Sequence, residues 1–255
     1  MELELITPLV LTFNEEPNLR RCLGRLTWAK EVVVVDSGSK DATLDIAAEF
    51  PNVRVIVRPF DDHTTQWNFG LDCTNSNWVL TLDCDYVLSE GFEQELAALP
   101  AEPVCDAFFA SFRYLIHGKA LRGCLYPMRA VFFRKDRCRY IPDGHTQLLK
   151  ISGPVLNLRS LINHDDRKPL SRWFASQAKY AALEAQKLLA APRASLRIQD
   201  RLRLTGWAAI PASLVYTLLV KRVILDGWRG WYYSLQRILA EIMLTLEILE
   251  RRIDH

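Results

Sequence analysis

The 255-residue sequence predicts an α/β fold with a mostly parallel central sheet and a C-terminal helical extension. Three observations carry this reading. Short apolar runs alternate with helical patterns over residues 5–100. Those runs are almost continuously apolar, as strands covered on both faces of a parallel sheet are. From Pro169 onward the pattern is helical throughout.

LITPLVLTF reads as the first strand, after which Asn14 caps a helix with Pro17 in its first turn. Leu19, Cys22, Leu23 and Leu26 share one face of that helix. EVVVVDSGS is a buried strand ending in turn residues, and SKDATLDIAAEF is the next helix, with Ala42, Ile46 and Ala47 on one side. VRVIVRPF is a third strand, TTQWNFGLDCT a short helix and WVLTLDCD a fourth strand. Beyond Pro103, DAFFASFRYLIHGKALRG, RAVFFRKDRCRYI and TQLLKISGPVLNLRSLI alternate in the manner of strands, with HGK and SGP as turns. In the helical part, Phe174, Ala178, Ala181, Ala185 and Leu188 mark one face, and Pro192 ends that helix. The last helix, residues 230–253, gathers Leu235, Ile238, Leu239, Ile242, Leu246, Leu249 and Ile253 in one stripe. The expected division is a body over residues 1–166 and an extension over 167–255 that associates with membrane or dimerises.

A charged share of 24% argues against disorder. The net charge of +2 hides an asymmetry: residues 1–166 hold 17 Lys+Arg against 23 Asp+Glu, and residues 167–255 hold 15 against 7. A body with net negative charge argues against a nucleic-acid binder, which needs extended phosphate tracking. The six cysteines form no CxxC pair and no zinc-like spacing, and read as thiols of a reducing compartment. The N-terminus is acidic at once, unlike a cleaved signal peptide. The longest uncharged stretch, Thr205 to Val220, is 16 residues long and contains Pro211. It falls short of the roughly 20 residues a membrane span needs, and leaves an interfacial helix open. The expected location is the cytoplasm, or the cytoplasmic face of the inner membrane.

Three polar clusters follow the ends of expected parallel strands: Thr12-Phe13-Asn14-Glu15, Asp36-Ser37-Gly38-Ser39 and Asp83-Cys84-Asp85. Ligands of open α/β sheets sit beyond the carboxyl ends of the strands. Turns and helix caps also call for Asn, Asp, Ser and Gly, so each cluster alone has a plain structural reading. The spacing of Asp83 and Asp85 is costly unless a divalent metal, a basic side chain or solvent lies beside them.

In this order, TFNEEPNL, VVVVDSGSKDAT, QWNFGLD and WVLTLDCDYVLS resemble the inverting glycosyltransferases of family 2, which have the GT-A (nucleotide-diphospho-sugar transferase) fold. The resemblance covers most of the chain and is nearest to the lipopolysaccharide inner-core beta-glucosyltransferase branch. NHDDRKPLSRWFASQAKYAALEAQKL and VKRVILDGWRGWYYSLQRI resemble that branch's C-terminal half. The resemblance implies a hexosyltransferase of cell-envelope lipopolysaccharide synthesis. Its donor would be a nucleotide-diphosphate sugar, with a UDP-sugar favoured, and its acceptor a glycan or glycolipid. It also implies a divalent cation, Mg²⁺ or Mn²⁺, at the DXD motif. Asp85 would be the direct metal ligand, with Asp83 on the ribose or a metal-bound water. Asp36 would accept a hydrogen bond from the uracil-type ring, and Thr12, Asn14 and Glu15 would hug the nucleoside. Gly38 would let the backbone come close, while Gln66 and Asn68 would face the donor or else form a solvated helix face.

The chain departs from that pattern at two positions. Tyr86 stands where the branch has a glutamate after its Asp-x-Asp, and Thr146 stands at the acid of its His-Glu pair. An inverting transfer needs one general base. Asp143 leads, because a carboxylate is the family's usual base. His145 is the other candidate, as base or as a further ligand, with a backbone-bonded turn histidine as its plain reading. The two departures give some weight to a second function, a non-catalytic nucleotide-sugar or glycan-binding module. In the extension, Trp207, Trp228, Trp231, Tyr232 and Tyr233 lie among Arg203, Lys221, Arg222, Arg229 and Arg237. This mixture suits a membrane interface, and equally a helical packing or homo-oligomer contact.

Overall fold

A computed structural model describes residues 1–143 and 146–253. Two compact units emerge, residues 1–118 with 126–167, and residues 119–125 with the segment from Lys168 onward.

The first unit opens with β1 (Ile6–Thr12), β2 (Val32–Asp36), β3 (Val53–Val57) and β4 (Trp78–Asp83). They lie in the order β3-β2-β1-β4 and all run parallel. The apolar runs of β1, β2 and β4 are buried on both faces, while β3, at the sheet edge, is half-buried. Ile6, Val10, Val34 and Leu80 pack with Leu19, Leu23 and Ile46 on one side. Leu9, Val33, Val35 and Val79 pack with Trp67 and Leu71 on the other. The covering helices are α1 (Leu19–Leu23), α2 (Thr43–Ala48), α3 (His63–Cys73) and α4 (Phe92–Ala98). α3 begins where the Asp62 carboxylate accepts the Thr65 N–H at 2.9 Å. It lies so close to β1 that a Cβ on Gly70 would come within 2.8 Å of the Leu9 methyls.

Beyond the four parallel strands the sheet also takes antiparallel members. The strand Arg129–Arg134 runs antiparallel to β4 and to β6 (Ala107–Ile116). The strand Val155–His164 is parallel to β6. The expected fourth strand also ends sooner, because the chain turns at Cys84 and Asp85. It then forms β5 (Tyr86–Leu88), antiparallel to Val155–His164 with Tyr86 opposite His164. Cys138–Asp143 and Thr146–Ile151 form a separate two-stranded hairpin.

Asn14 does not cap a helix. Its φ of 53° turns the chain away from helical continuation, a conformation that asparagine tolerates. Its side-chain carbonyl is spent on the Lys40 N–H at 2.7 Å, so α1 starts only at Leu19.

The second unit is helical: α5 (Leu170–Ala190), α6 (Ile198–Arg203), α7 (Ala209–Val215) and α8 (Trp228–Ile253). Ala181, Ala185 and Leu188 of α5 are buried as their spacing predicts, whereas Phe174 is exposed. Of the stripe expected on the last helix, Leu235, Leu246, Leu249 and Ile253 are exposed and Ile238, Leu239 and Ile242 are half-buried. Tyr233, Leu244 and Ile248 form the buried face instead. The helix is apolar on two sides, and periodicity alone does not say which side the fold uses. Among the described residues, no helix is long and apolar enough to cross a membrane.

Leu80 is fully buried at the centre of the parallel strands. Leu80→Ala should destabilise the first unit by about 2–5 kcal/mol through lost transfer energy and a residual cavity. A urea titration following tryptophan fluorescence would measure it, and an unchanged midpoint would contradict this packing.

Candidate functional site

The parallel register brings the three polar clusters to one edge. Thr12 pairs with Asp36 across β1 and β2, and Leu11 pairs with Asp83 across β1 and β4. Strand alternation then sets their directions. Val79 belongs to the core beside α3, and Asp83, four residues on, shares its face of β4. Cys84, between the two aspartates, is buried and donates to the Leu11 carbonyl at 3.1 Å.

The Asp36 carboxylate is fully buried and holds the loop that follows β2. One oxygen accepts from Thr12 Oγ1 at 2.8 Å and from Ser39 Oγ at 2.5 Å, and the other accepts the Gly38 and Ser39 N–H groups at 2.8 Å each. A carboxylate has about four acceptor positions, so these bonds occupy its capacity. Gly38 sits at φ 87° with open space around its Cα, so the turn itself requires glycine there. The Asn14 N–H donates to Ser39 Oγ at 2.8 Å, and the Glu15 N–H donates to Thr43 Oγ1 at 2.7 Å. The Glu15 carboxylate accepts from Asn18 Nδ2 at 2.9 Å. Thr12, Asn14, Glu15, Asp36 and Gly38 thus interlock two adjacent strand-end loops.

Gln66 and Asn68 act as braces. Gln66 is fully buried, donates to Ser37 Oγ at 3.2 Å and accepts from the Arg58 guanidinium. Asn68 mimics a strand: its side chain donates to the Tyr140 carbonyl and accepts the Tyr140 N–H, both at 3.0 Å. Tyr140 is clamped further by a 3.0 Å hydrogen bond between its hydroxyl and Thr81 Oγ1, two residues before Asp83. Asp143 ends the same strand, opposite Thr146. The other base candidate, His145, lies outside the described residues.

Around the aspartate pair stand residues that the sequence reading missed. Burial and the neighbouring Asp85 charge push the Asp83 carboxyl above the usual carboxylate range; Arg129, His63 and a hydrogen bond from Tyr86 oppose that shift. The Arg129 guanidinium lies over the Tyr126 ring, 5.2 Å from its centroid. Burial works against its charge, but the facing Tyr126, Tyr86 and Asp83 outweigh burial and hold its pKa up. Tyr86 and Tyr126 share a hydroxyl–hydroxyl bond, so Tyr126 donating to Tyr86 and Tyr86 to Asp83 makes a consistent chain. Asp85 meets His164, with Nε2 3.1 Å from Oδ2. The imidazole lies edge-on to Tyr86, Tyr114 and Tyr126, with centroids 4.6–5.4 Å away. The Asp85 carbonyl accepts the Asp165 N–H at 3.0 Å. Asp165 is buried and paired with Arg21 at 2.8 Å and Arg167 at 2.7 Å.

The donor set suits a hard divalent cation. Two carboxylates one residue apart, with an imidazole against the second, offer oxygen and nitrogen ligands, and a cation would relieve the repulsion that raises Asp83. Among the described residues, no three His, Cys, Asp or Glu side chains come together tightly enough to hold a metal alone. That pattern fits an ion that takes one or two carboxylates and draws its other ligands from phosphate and water.

With these loops in place, comparison with known proteins defines the class. The chain belongs to glycosyl transferase family 2, whose family model matches residues 9–140. It is 27% identical to the lipopolysaccharide core biosynthesis glycosyltransferase LpsC of Rhizobium meliloti (strain 1021), over 71% of each chain. It is 31% identical to an uncharacterised glycosyltransferase of Rickettsia bellii (strain RML369-C) over 41% of its own length, and spans only 36% of that relative. Its fold is shared with the mannosyltransferase PcManGT of Pyrobaculum calidifontis, solved with GDP-Man and Mn²⁺. There the TM-score is 0.57 at 15% identity, covering 97% of this chain and 86% of the other. The GT-A architecture that the motifs imply is therefore the architecture observed, with the helical C-terminal region attached.

Asp83 gives a pH signature. A carboxyl whose pKa is higher folded than unfolded costs stability once pH exceeds the unfolded value, so its contribution falls as pH rises through that window. Asp83→Asn should therefore gain thermal stability relative to the native chain as pH rises from 4 to 8. Paired melting curves would read this, and a difference that stays flat with pH would contradict the assignment.

Proposed function

We propose that the chain is a metal-dependent, inverting glycosyltransferase that moves a sugar from a nucleotide-diphosphate donor to a glycan or glycolipid acceptor in cell-envelope lipopolysaccharide synthesis. The observation that carries this is the meeting of the Thr12, Asp36 and Asp83–Asp85 clusters on one sheet edge in a chain of this family. The similarity to LpsC supports the acceptor class. The interlocked loops Thr12–Glu15 and Asp36–Ser39 would seat the nucleoside, with a uracil-type base displacing the Ser39 hydroxyl from Asp36. Asp85, with His164 behind it, would hold Mg²⁺ or Mn²⁺, and Asp83 would meet the ribose or a metal-bound water. The bound cation would neutralise charge developing on the departing diphosphate.

Arg129 and the Tyr126–Tyr86 hydroxyl chain would orient Asp83 before any ligand arrives and oppose the rise in its pKa that burial and Asp85 cause. Asp143 would accept the proton of the acceptor hydroxyl as its oxygen attacks the anomeric carbon on the face opposite the diphosphate. His145 is the alternative base. The chain would work at the cytoplasmic face of the inner membrane as a peripheral protein.

The second reading, a non-catalytic nucleotide-sugar or glycan-binding module, draws on Tyr86 and Thr146. The arrangement around Tyr86 weakens it, because the tyrosine donates to Asp83 and so supports the aspartate pair.

Release of nucleoside diphosphate from a panel of sugar nucleotides, with and without Mn²⁺, tests the proposal. Asp85→Ala should abolish metal-dependent release. Asp143→Asn should lower turnover about 10²–10⁴-fold with donor affinity nearly unchanged. Full turnover in Asp143→Asn would move the base to His145 or elsewhere. Donor binding with no release from any sugar nucleotide would favour the binding module.

A further inference from the structure

The second unit carries a surface that its own packing does not use. Trp207, Leu219, Val220, Leu225, Trp228 and Leu235 are each more than half exposed. They fall within 29 residues of sequence, and the segments that hold them pack on one another and on α8. The backbone explains why they face out. α7 runs into a single π-helical turn, Tyr216–Val220, and Arg222 then takes a left-handed φ of 58°. A 3₁₀ turn, Val223–Asp226, follows and buries Val223 while Ile224 and Leu225 turn outward. Gly227 at φ 61° then redirects the chain into α8. Exposed apolar side chains grouped with polar and charged neighbours mark protein or membrane contact sites.

The charges around this surface have one sign. Lys221, Arg222 and Arg229 lie within it, and the one acidic residue between 207 and 235, Asp226, is taken by Arg122 through an N–H bond at 2.9 Å and an ion pair. Lys221 sits over the Tyr216 ring at 5.7 Å and Arg229 over the Trp228 ring at 4.6 Å. Apolar bodies directed outward with cationic heads perched on aromatic rings are the arrangement of a lipid–water interface. The membership also differs from the sequence reading. Tyr233 is buried, with its hydroxyl accepting the Leu125 N–H at 2.8 Å, and Arg203 is paired with Glu241 at 2.7 Å.

We propose that residues 207–235 form a docking surface for an anionic phospholipid bilayer: Leu219, Val220, Leu225, Trp228 and Leu235 enter the acyl boundary, and Lys221, Arg222 and Arg229 engage phosphate headgroups. This rests on the peripheral-membrane part of the proposed function and names the surface that serves it. A second copy is the poorer partner. A symmetric contact through this patch would set Lys221, Arg222 and Arg229 against themselves, whereas anionic headgroups complement them.

The test is flotation of the full chain with vesicles of phosphatidylglycerol and phosphatidylethanolamine, against phosphatidylcholine alone, at low and high salt. The anionic vesicles should bind the chain about tenfold or more tightly at low salt, with quenching of tryptophan fluorescence by brominated acyl chains. Leu225→Asp and the triple variant Lys221→Ser/Arg222→Ser/Arg229→Ser should each lose about tenfold or more. Leu246→Ser, exposed on α8 outside the segment, should bind as the native chain does.

No flotation with anionic vesicles at low salt overturns the proposal, as does an equal loss in Leu246→Ser. So does a homodimer, seen by light scattering, that Leu225→Asp dissociates. Nucleoside diphosphate release measured on the same proteins keeps the two readings apart. Release without flotation removes the surface and leaves the enzyme, and flotation without release supports the surface while removing the enzyme.

Discussion

Two carboxylates one residue apart at the mouth of a buried strand repel each other and resist desolvation, and the architecture around them answers that problem. β4 delivers them, the buried Cys84 separates them, and each meets a different partner. Asp83 turns toward the α3 face, where Arg129, His63 and the Tyr86 hydroxyl offset the cost of burying its charge. Asp85 lies in the turn, where His164 faces it and Asp165 fixes its backbone. Much of the first unit serves this division. The antiparallel strand Arg129–Arg134 begins with the guanidinium that Asp83 needs, and the strand Val155–His164 ends with the imidazole against Asp85.

The parallel half of the sheet was legible in the sequence because its signal is local. Runs such as VVVVD and WVLTLD need burial on both faces, and their polar ends follow by alternation. The remainder was not legible, for reasons particular to each residue. Arg129 lies 44 positions beyond Asp85, so a reading by proximity finds Arg58 and Arg113 first. His164 became a partner of Asp85 only because β5 turns back and pairs with the strand that ends there. Nothing in DCDYVLS announces that reversal. The bracing contacts of Gln66 and Asn68 were not legible, since an amide that braces a neighbouring loop has the same composition as one that meets a substrate. The α8 stripe was visible as periodicity, but a helix with two apolar faces does not declare which one is inside.

Tyr86 is the clearest case of a local departure with a structural answer. A carboxylate at that position would add a third negative charge beside Asp83 and Asp85. The phenol instead fills the aromatic cluster of Phe112, Tyr126 and His164 and donates a hydrogen bond to Asp83. Burial and the nearby Asp83 charge drive its own ionisation far up, so it remains a donor across the physiological range. The substitution exchanges a charge for a donor within one connected network.

The attachment of the hairpin has a consequence for divergence. Its first strand is fastened to α3 through the Asn68 side chain and to β4 through Thr81, and both fastenings end at Tyr140. Tyr140 therefore ties the strand that carries Asp143 to α3 and to the mouth of β4 at once. A change at Asn68 or Thr81 would be felt along that strand, so these positions and Tyr140 are expected to change together among related chains.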